Sequence, residues 1–290
     1  MKKALAIDVG GTKIYSAVIS ENGEIIGEIE KYSTPKMYDE ILSTFNKIIQ
    51  AHEKDVDVIA FATCGAVNNT NDGILGSTGN IAKEYPKTNF KSLSNKPVYV
   101  ENDANCAAWA EHIIGASKNK AYSVMLTLGT GVGGGIILDN KLYKGKSGAA
   151  GEMHFKINRT SKRPCTCGSY DCFEAYASGT GLKNTAIEIS GNNNITTYDV
   201  IDGLKKKDSL MINIFNTWQN DIINGIIGLA DIFDPDVVVL SGSMAEFVDT
   251  EYITQKVNEE IVTQPTKVVK AQAGNHSGMI GAALLALGVK

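Results

Sequence analysis

The stretch Leu5-Ala6-Ile7-Asp8-Val9-Gly10-Gly11-Thr12-Lys13-Ile14-Tyr15-Ser16-Ala17-Val18-Ile19-Ser20 decides the fold. Leu5 to Val9 and Ile14 to Ser20 alternate apolar with polar positions, the period of a strand rather than of a helix. Gly10-Gly11 separates these two bursts, and Asn22-Gly23 separates the second from a third at Glu24 to Glu30. Asn-Gly between two strand patterns is a strong hairpin signal, so the chain opens as an antiparallel meander of three strands.

Beyond that meander, Met37, Ile41, Leu42, Phe45, Ile48 and Ile49 recur at helical spacing over 37–53. Val56 to Thr63 and Pro97 to Val100 read as buried strands, and Asp103 to Ile114 as a helix. The pattern then restarts. Ala121 to Leu128, Val132 to Leu138 and Lys141 to Tyr143 form a second hairpin series, with Asp139-Asn140 as a turn. A long helix follows at 208–233, then a strand at Val237 to Leu240 and a closing helix at Ile280 to Leu287. Two passes of strand-strand-strand-helix-strand predict an internal duplication, in which each half is an α/β domain with a mixed sheet. The expected division places 1–115 with 276–290 in an N-terminal domain and 116–275 in a C-terminal domain, the final helix packing back on the first.

Bulk properties narrow the function classes. The 290 residues suffice for two domains with a buried core. A net charge of −4 without a clustered basic face argues against a nucleic-acid partner. Lys205-Lys206-Lys207 reads as a solvated helix end before a phosphate site. The N-terminus begins with a strand pattern instead of a signal-peptide core, and no apolar run reaches the roughly 18 residues that span a membrane. A cytoplasmic protein without membrane contact is therefore expected. Three of the five cysteines crowd into 165–172. Cys165 and Cys167 are too close for an ordinary mutual disulfide, which favours metal binding in a reducing cytosol.

Several segments carry candidate chemistry. Asp8-Val9-Gly10-Gly11-Thr12-Lys13 sits at a strand-strand turn, where paired glycines let backbone approach an anion, Thr12 and Lys13 add a hydroxyl and a cation, and Asp8 can hold Mg²⁺ through water. A plain tight hairpin explains the same residues equally well. Leu128-Gly129-Thr130-Gly131-Val132-Gly133-Gly134-Gly135 occupies the corresponding place in the second half. It is neither a Walker A loop nor a dinucleotide fingerprint, because no Gly-Lys-Ser/Thr follows and a strand comes next. Matching turns at equivalent points of two repeats are suited to clamping one phosphate chain. Ser241-Gly242-Ser243 follows a late strand, a usual place for a nucleotide or for an ordinary strand-helix turn. In Val100-Glu101-Asn102-Asp103-Ala104-Asn105, Asp103 reads either as a helix cap or as a base that accepts a hydroxyl proton, with Asn102 beside it for sugar hydroxyls. His154, Cys165, Cys167 and Cys172 fall within nineteen residues and suit tetrahedral Zn²⁺ in a structural site, or else are small buried thiols with an unrelated histidine.

Taken together, these segments resemble the ROK family (repressors, open reading frames and kinases), in its glucokinase-like and N-acetylhexosamine-kinase branch. The resemblance runs along essentially the whole chain. It is carried by Ala6 to Lys13, Glu101 to Asn105, Leu128 to Gly135, Gly151-Glu152-Met153-His154, and Cys165-Thr166-Cys167-Gly168 through Cys172-Phe173-Glu174. It implies two ribonuclease-H-like domains of the actin-like ATPase kind around a central cleft, closing over sugar and ATP. It implies structural Zn²⁺ on His154 and the three cysteines within segment 151–174. It assigns Asp103 as the base, and Asn80, Asn102, Glu152, His154 and Glu174 as sugar ligands, with a backbone contact from Gly65. ATP phosphates and Mg²⁺ would lie by Asp8, Gly10, Gly11, Thr12 and Lys13 and by Gly129, Thr130, Gly131 and Gly133, with adenosine near Gly242. Two departures stand out. Relatives usually read Gly-Glu-x-Gly-His where this chain has Gly151-Glu152-Met153-His154, one residue shorter. Thr63-Cys64-Gly65-Ala66-Val67 replaces the usual Gly-x-Pro-Gly loop.

The activity implied is ATP-dependent phosphorylation of glucose or a related hexose at the 6-hydroxyl. The nearest alternative is an N-acetylmannosamine or N-acetylglucosamine kinase, distinguished by the loops around 64–80. A different class is a non-catalytic sugar-sensing regulator. The repressors of this family carry a DNA-binding helix-turn-helix ahead of the first glycine loop, and here nine residues precede Gly10. Members of the family are often dimers, so a homodimer is consistent with the resemblance.

Overall fold

The computed structural model describes residues 1–76, 81–157 and 162–290. In chain order the elements are β1 (Lys3–Val9), β2 (Lys13–Ser20), β3 (Ile25–Ser33), α1 (Tyr38–His52), β4 (Val58–Thr63), the short β5 (Ala66–Val67) and β6 (Ile74–Gly76), β7 (Val98–Asn102) and α2 (Asp103–Ile114). Then come β8 (Ser123–Leu128), β9 (Val132–Leu138), β10 (Lys141–Leu142), α3 (Glu174–Ala177), α4 (Gly179–Ser190), α5 (Thr197–Lys205) and α6 (Ser209–Phe233). The chain closes with β11 (Val237–Ser241), α7 (Thr250–Glu260), β12 (Lys267–Lys270) and α8 (Ser277–Ala286).

The opening meander forms, although β1 is buried on both faces from Ala4 to Ile7 instead of alternating. β1 pairs antiparallel with β2 from Lys3↔Ser20 to Val9↔Ile14, and β2 pairs antiparallel with β3. Gly23 takes a φ of 81° in the Asn22-Gly23 turn, a left-handed value that a side chain resists. β4 and β7 then add parallel to β1, giving the order β3-β2-β1-β4-β7. β4 is buried at every position, Val58 to Thr63, as befits a parallel central strand covered on both faces. The second sheet repeats the order with its own strands, β10-β9-β8-β11-β12. Asp139 and Asn140, with φ of 52° and 59°, make the turn between β9 and β10.

The chain divides into two compact units. The first comprises Met1–Asn119, Gly135–Gly151 and Gln272–Lys290, and the second Lys120–Gly134 and Glu152–Ala271. Gly135–Gly151 thus groups with the first unit, although the sequence on either side of it belongs to the second. In the first unit, one sheet face packs on α1 through Leu5, Ile7, Phe45, Ile48 and Phe61. The other face packs on α2 and α8 through Ala4, Ala6, Cys106, Trp109 and Met279. The two helices approach so closely that a Cβ at Gly281 would lie 1.7 Å from the Cys106 carbonyl oxygen. In the second unit, α6 buries Trp218, whose indole N–H donates to the Ser178 carbonyl over 3.0 Å. Lys205 ends α5, and Lys205, Lys206 and Lys207 are exposed, as a solvated helix end should be. No helix among the described residues is long and apolar enough to cross a membrane.

One buried carboxylate fixes the far end of α2. Glu111 is fully buried and accepts from the Ala116 N–H at 2.6 Å, the Gln272 N–H at 2.9 Å and the Ala273 N–H at 2.7 Å. These donors lie near the point where the chain first leaves the first unit and the point where it last re-enters it. Truncation would strand three backbone N–H groups, each costing about 1–3 kcal/mol when left unpaired. Glu111→Ala is therefore expected to lower unfolding stability by about 3 kcal/mol or more, read from the urea midpoint.

Candidate active site

In the first unit the strand-helix junction at Asn102-Asp103 gathers the candidate groups. Asn102, rather than Asp103, caps α2. Its side-chain oxygen accepts from Ala104 N at 2.9 Å and Asn105 N at 3.1 Å. Asp103 is the first helical residue, is exposed, and accepts from Ala104 N at 2.8 Å. The cap geometry explains the difference: an N-cap needs extended backbone, which Asn102 has at φ −61° and ψ 141°. The Asn102 amide nitrogen donates to the Gly65 carbonyl at 3.1 Å. Gly65, at φ 98°, occupies a left-handed conformation that glycine alone adopts cheaply. Gly65, Asn102 and Asp103 are thereby tied together. Asn80 lies outside the described residues.

Asp8 is the penultimate residue of β1, opposite Ala62 of β4. Burial and the nearby Asp103 carboxylate push Asp8 up to about 7. A carboxylate raised in this way is suited to a cation, which would relieve both causes. A Cβ at Gly278, in the first turn of α8, would come within 3.2 Å of its Oδ2. The Gly10-Gly11 turn closes by a Gly10 N–H donating to the Lys13 carbonyl at 3.0 Å, and Thr34 Oγ1 donates to the Gly10 carbonyl at 2.7 Å. Thr12 and Lys13 are exposed on it. The segment is thus a tight hairpin, and it presents a hydroxyl and a cation at the same strand ends as Asp8.

In the second unit the Gly129 turn is one residue tighter, with Gly129 N–H donating to the Gly131 carbonyl at 3.0 Å. Gly133 N–H donates to Thr127 Oγ1 at 3.0 Å. A cavity of about 390 Å³ opens beside this turn, lined among others by Gly129, Thr130, Gly179, Thr180, Ser243 and Met244. Gly242, at φ 87°, packs against the Leu128 carbonyl, where a Cβ would come within 2.4 Å, and so places Ser243 and Met244 on the cavity wall. The contribution of α4 was not legible in the sequence. Ser178 caps it by accepting from Gly181 N at 3.0 Å, and Gly179-Thr180 bring its N-terminal turn to the Gly129 loop. A Ser-Gly-Thr-Gly run ahead of a helical segment was the available signal.

The metal candidates also meet. The ligand atoms of His154, Cys165, Cys167 and Cys172 all lie within 4.8 Å of one another. Cys167 Sγ and Cys172 Sγ are 3.6 Å apart, and His154 Nδ1 is 3.4 Å from Cys165 Sγ. Tetrahedral zinc with bonds of about 2.0–2.3 Å has ligand-ligand edges of about 3.3–3.8 Å, so soft donors at these spacings fit that ion. His154 Nε2 faces Glu152 Oε2 at 3.5 Å. The shortened Glu152–His154 spacing therefore leaves one ring nitrogen toward the thiols and the other toward a carboxylate. Glu174 joins this knuckle to the glycine turn. Its Oε2 accepts from Val132 N at 3.1 Å and its Oε1 from Thr166 Oγ1 at 2.6 Å. Arg163 anchors the knuckle to α4 through Glu188 at 2.6 Å and 2.8 Å and through Thr185 at 3.0 Å.

Comparison with known proteins places this geometry. An N-acetylmannosamine kinase of Yersinia pseudotuberculosis is 31% identical over 293 residues, covering 99% of each chain. A glucokinase of Streptomyces coelicolor is 29% identical over 312 residues, covering 99% of this chain and 98% of its own. The crystal structure of a ROK family glucokinase from Streptomyces griseus, in complex with glucose and AMPPNP, superposes with a TM-score of 0.78 at 29% identity over 99% of both chains. The fold is the two-domain, ribonuclease-H-like α/β arrangement of these proteins. The ROK family model matches residues 4–289, and the chain belongs to the ROK family.

Proposed function

We propose that this chain is an ATP-dependent sugar kinase that phosphorylates a hexose, with glucose at its 6-hydroxyl as the leading acceptor. The observation that carries the reading is the junction at which Asn102 caps α2, holds Gly65 and sets Asp103 at the helix start. Asp103 accepts the proton of the sugar hydroxyl as its oxygen attacks the γ-phosphorus. The bond from that phosphorus to the β–γ bridging oxygen breaks, and ADP leaves with the oxygen. Asn102, Gly65, Asn80, Glu152, His154 and Glu174 are proposed as sugar ligands. Asp8 is proposed to hold hydrated Mg²⁺, and the Gly10 and Gly129 turns to cradle the phosphates. The 390 Å³ cavity at Ser243 and Met244 is proposed to take adenosine. Zn²⁺ on His154, Cys165, Cys167 and Cys172 would supply a structural cross-link. The likeness to the Yersinia enzyme supports a second acceptor class, N-acetylmannosamine.

Three outcomes test this reading. With Mg-ATP and a panel of glucose, mannose, N-acetylmannosamine and N-acetylglucosamine, ADP release is expected with at least one sugar. Asp103→Ala is expected to lower kcat by about 10²–10⁴. No sugar-dependent ADP from the unaltered protein would refute the kinase reading, and an equally active Asp103→Ala would refute the base.

Elemental analysis of freshly purified protein is expected to find about one zinc per chain, lost in Cys172→Ser together with thermal stability. Zinc at background level would overturn the metal assignment.

The third outcome concerns pH. Asp8 binds its proton more tightly in the folded protein, about 7 against an ordinary 3.8. The folded state therefore holds more protons between those values, and stability falls as pH rises through that window. Without Mg²⁺ or nucleotide, Asp8→Asn should raise the melting temperature at pH 8 and leave it nearly unchanged at pH 4. A gain that is equal at both pH values would contradict the raised carboxyl.

A further inference from the structure

We propose that Glu101 and Lys144 are positioning residues for phosphoryl transfer, a buried ion pair that sets the junction carrying Asn102 and Asp103; this rests on the sugar-kinase reading above. Glu101 immediately precedes Asn102 and is fully buried. All of its acceptor capacity is used. Oε1 accepts from Asn102 N at 2.8 Å and Asn105 Nδ2 at 3.1 Å. Oε2 accepts from Asn71 Nδ2 at 2.8 Å and pairs with Lys144 Nζ at 2.8 Å. The side chain of Lys144 is only 16% exposed.

The partners show what the pair does. The bond to Asn102 N fixes the backbone at the residue whose side chain caps α2 and holds Gly65. The bond to Asn105 holds the first turn of α2 from the inside. The two bonds therefore hold the chain on either side of Asp103, at Asn102 and at Asn105. Asn71, which also donates to the Val100 carbonyl at 2.7 Å, clips the loop after β5 to the same strand end. Lys144 Nζ donates to the Asn68 carbonyl at 3.1 Å, and Asn69 donates to the Lys146 carbonyl at 2.7 Å. One ion pair thus pins the 68–71 loop and the Lys144 segment to the base of the junction.

A buried carboxylate loses its hydration, and at Glu101 three N–H donors and one cation take its place. Lys144 is the cation that structure supplies. Without it, the Glu101 carboxylate keeps three N–H donors but no counter-charge, and it relaxes by moving toward solvent. That movement breaks the bond to Asn102 N and loosens the cap.

The test compares Lys144→Met, Lys144→Arg and the double variant Glu101→Gln with Lys144→Met. Lys144→Met is expected to lower kcat about tenfold or more, to raise the sugar KM and to leave the ATP KM within about twofold. Lys144→Arg is expected to recover kcat to within about fivefold of the unaltered protein, since it restores the charge. Hydrogen exchange of the capped Ala104 and Asn105 amides should rise about fivefold or more in Lys144→Met and return in Lys144→Arg, with the Val124 and Leu126 amides unchanged. A kcat within about twofold of the unaltered protein, no recovery with arginine, or unchanged Ala104 and Asn105 exchange would overturn the proposal. If Lys144→Met does not fold, the charge-free double variant replaces it. That variant is expected to melt near the unaltered protein, yet its bond to Asn102 N loses the assistance of a charged acceptor and its 68–71 loop loses the Lys144 tie, so low kcat and fast exchange persist; unaltered kcat and exchange in it would overturn the proposal. An unaltered protein that turns over no sugar defeats the kinase reading, while the exchange measurement still decides the positioning role.

Discussion

Helix α2 is held at both ends by a carboxylate that has no access to water, and the first unit is arranged around that constraint. Its residues from Ala104 to His112 are all buried, so the helix has no solvated face to orient it. Orientation comes instead from its ends. At the start, Glu101 takes four donors, two of them from the first residues of the helix and its cap. The positive end of the helix dipole lies there, which favours an anion. Near the other end the dipole disfavours Glu111, and the N–H groups of Ala116, Gln272 and Ala273 offset that cost. Between the two, Gly281 lets α8 approach to the Cys106 carbonyl. A helix fixed at both ends and against a neighbouring backbone presents Asp103 in one place.

The strands were legible in the sequence because their signals are local. Alternation over Leu5–Val9 and Ile14–Ser20, and Asn22-Gly23 between strands, depend on residues within a few positions of one another. The repetition of the pattern after residue 120 announced the duplicated sheet order. The helices α4 and α7 and the strand β12 were not legible there, for identifiable reasons. α7 is polar along most of its length and buries only Ile253 and Val257. α4 carries glycines at its start, where they serve packing: a Cβ at Gly181 would come within 2.2 Å of the Tyr176 carbonyl. β12 is four residues long, with one fully buried position, Val268.

The candidate site divides along the same line. Residue types with distinctive chemistry, such as Asp103, the cysteines and the paired glycines, stand out from sequence alone. The identity of the α2 cap did not, because Asn102 and Asp103 are both good caps and only backbone conformation separates them. Glu101 and Lys144 were invisible for a different reason. Their partnership spans more than forty residues, and nothing in either neighbourhood marks a buried charge until the fold brings them to 2.8 Å.

Each unit also solves the same problem in its own way: holding a glycine turn still without filling it. A glycine turn that approaches a phosphate must stay bare of side chains, so its rigidity has to come from outside. In the first unit Thr34 reaches the Gly10 carbonyl. In the second, Glu174 reaches Val132 N, while its other oxygen is bound to Thr166 between two of the clustered cysteines. A Cβ at Gly131 would lie 2.5 Å from that carboxylate, so any larger residue there would displace the glutamate. The consequence is directional. Whatever orders the Cys165–Cys172 segment also orders Thr166, and through Glu174 it reaches the backbone of the Gly129 turn. The thiol cluster is thus mechanically part of the loop proposed to bind phosphate, though none of its sulfurs belongs to that loop.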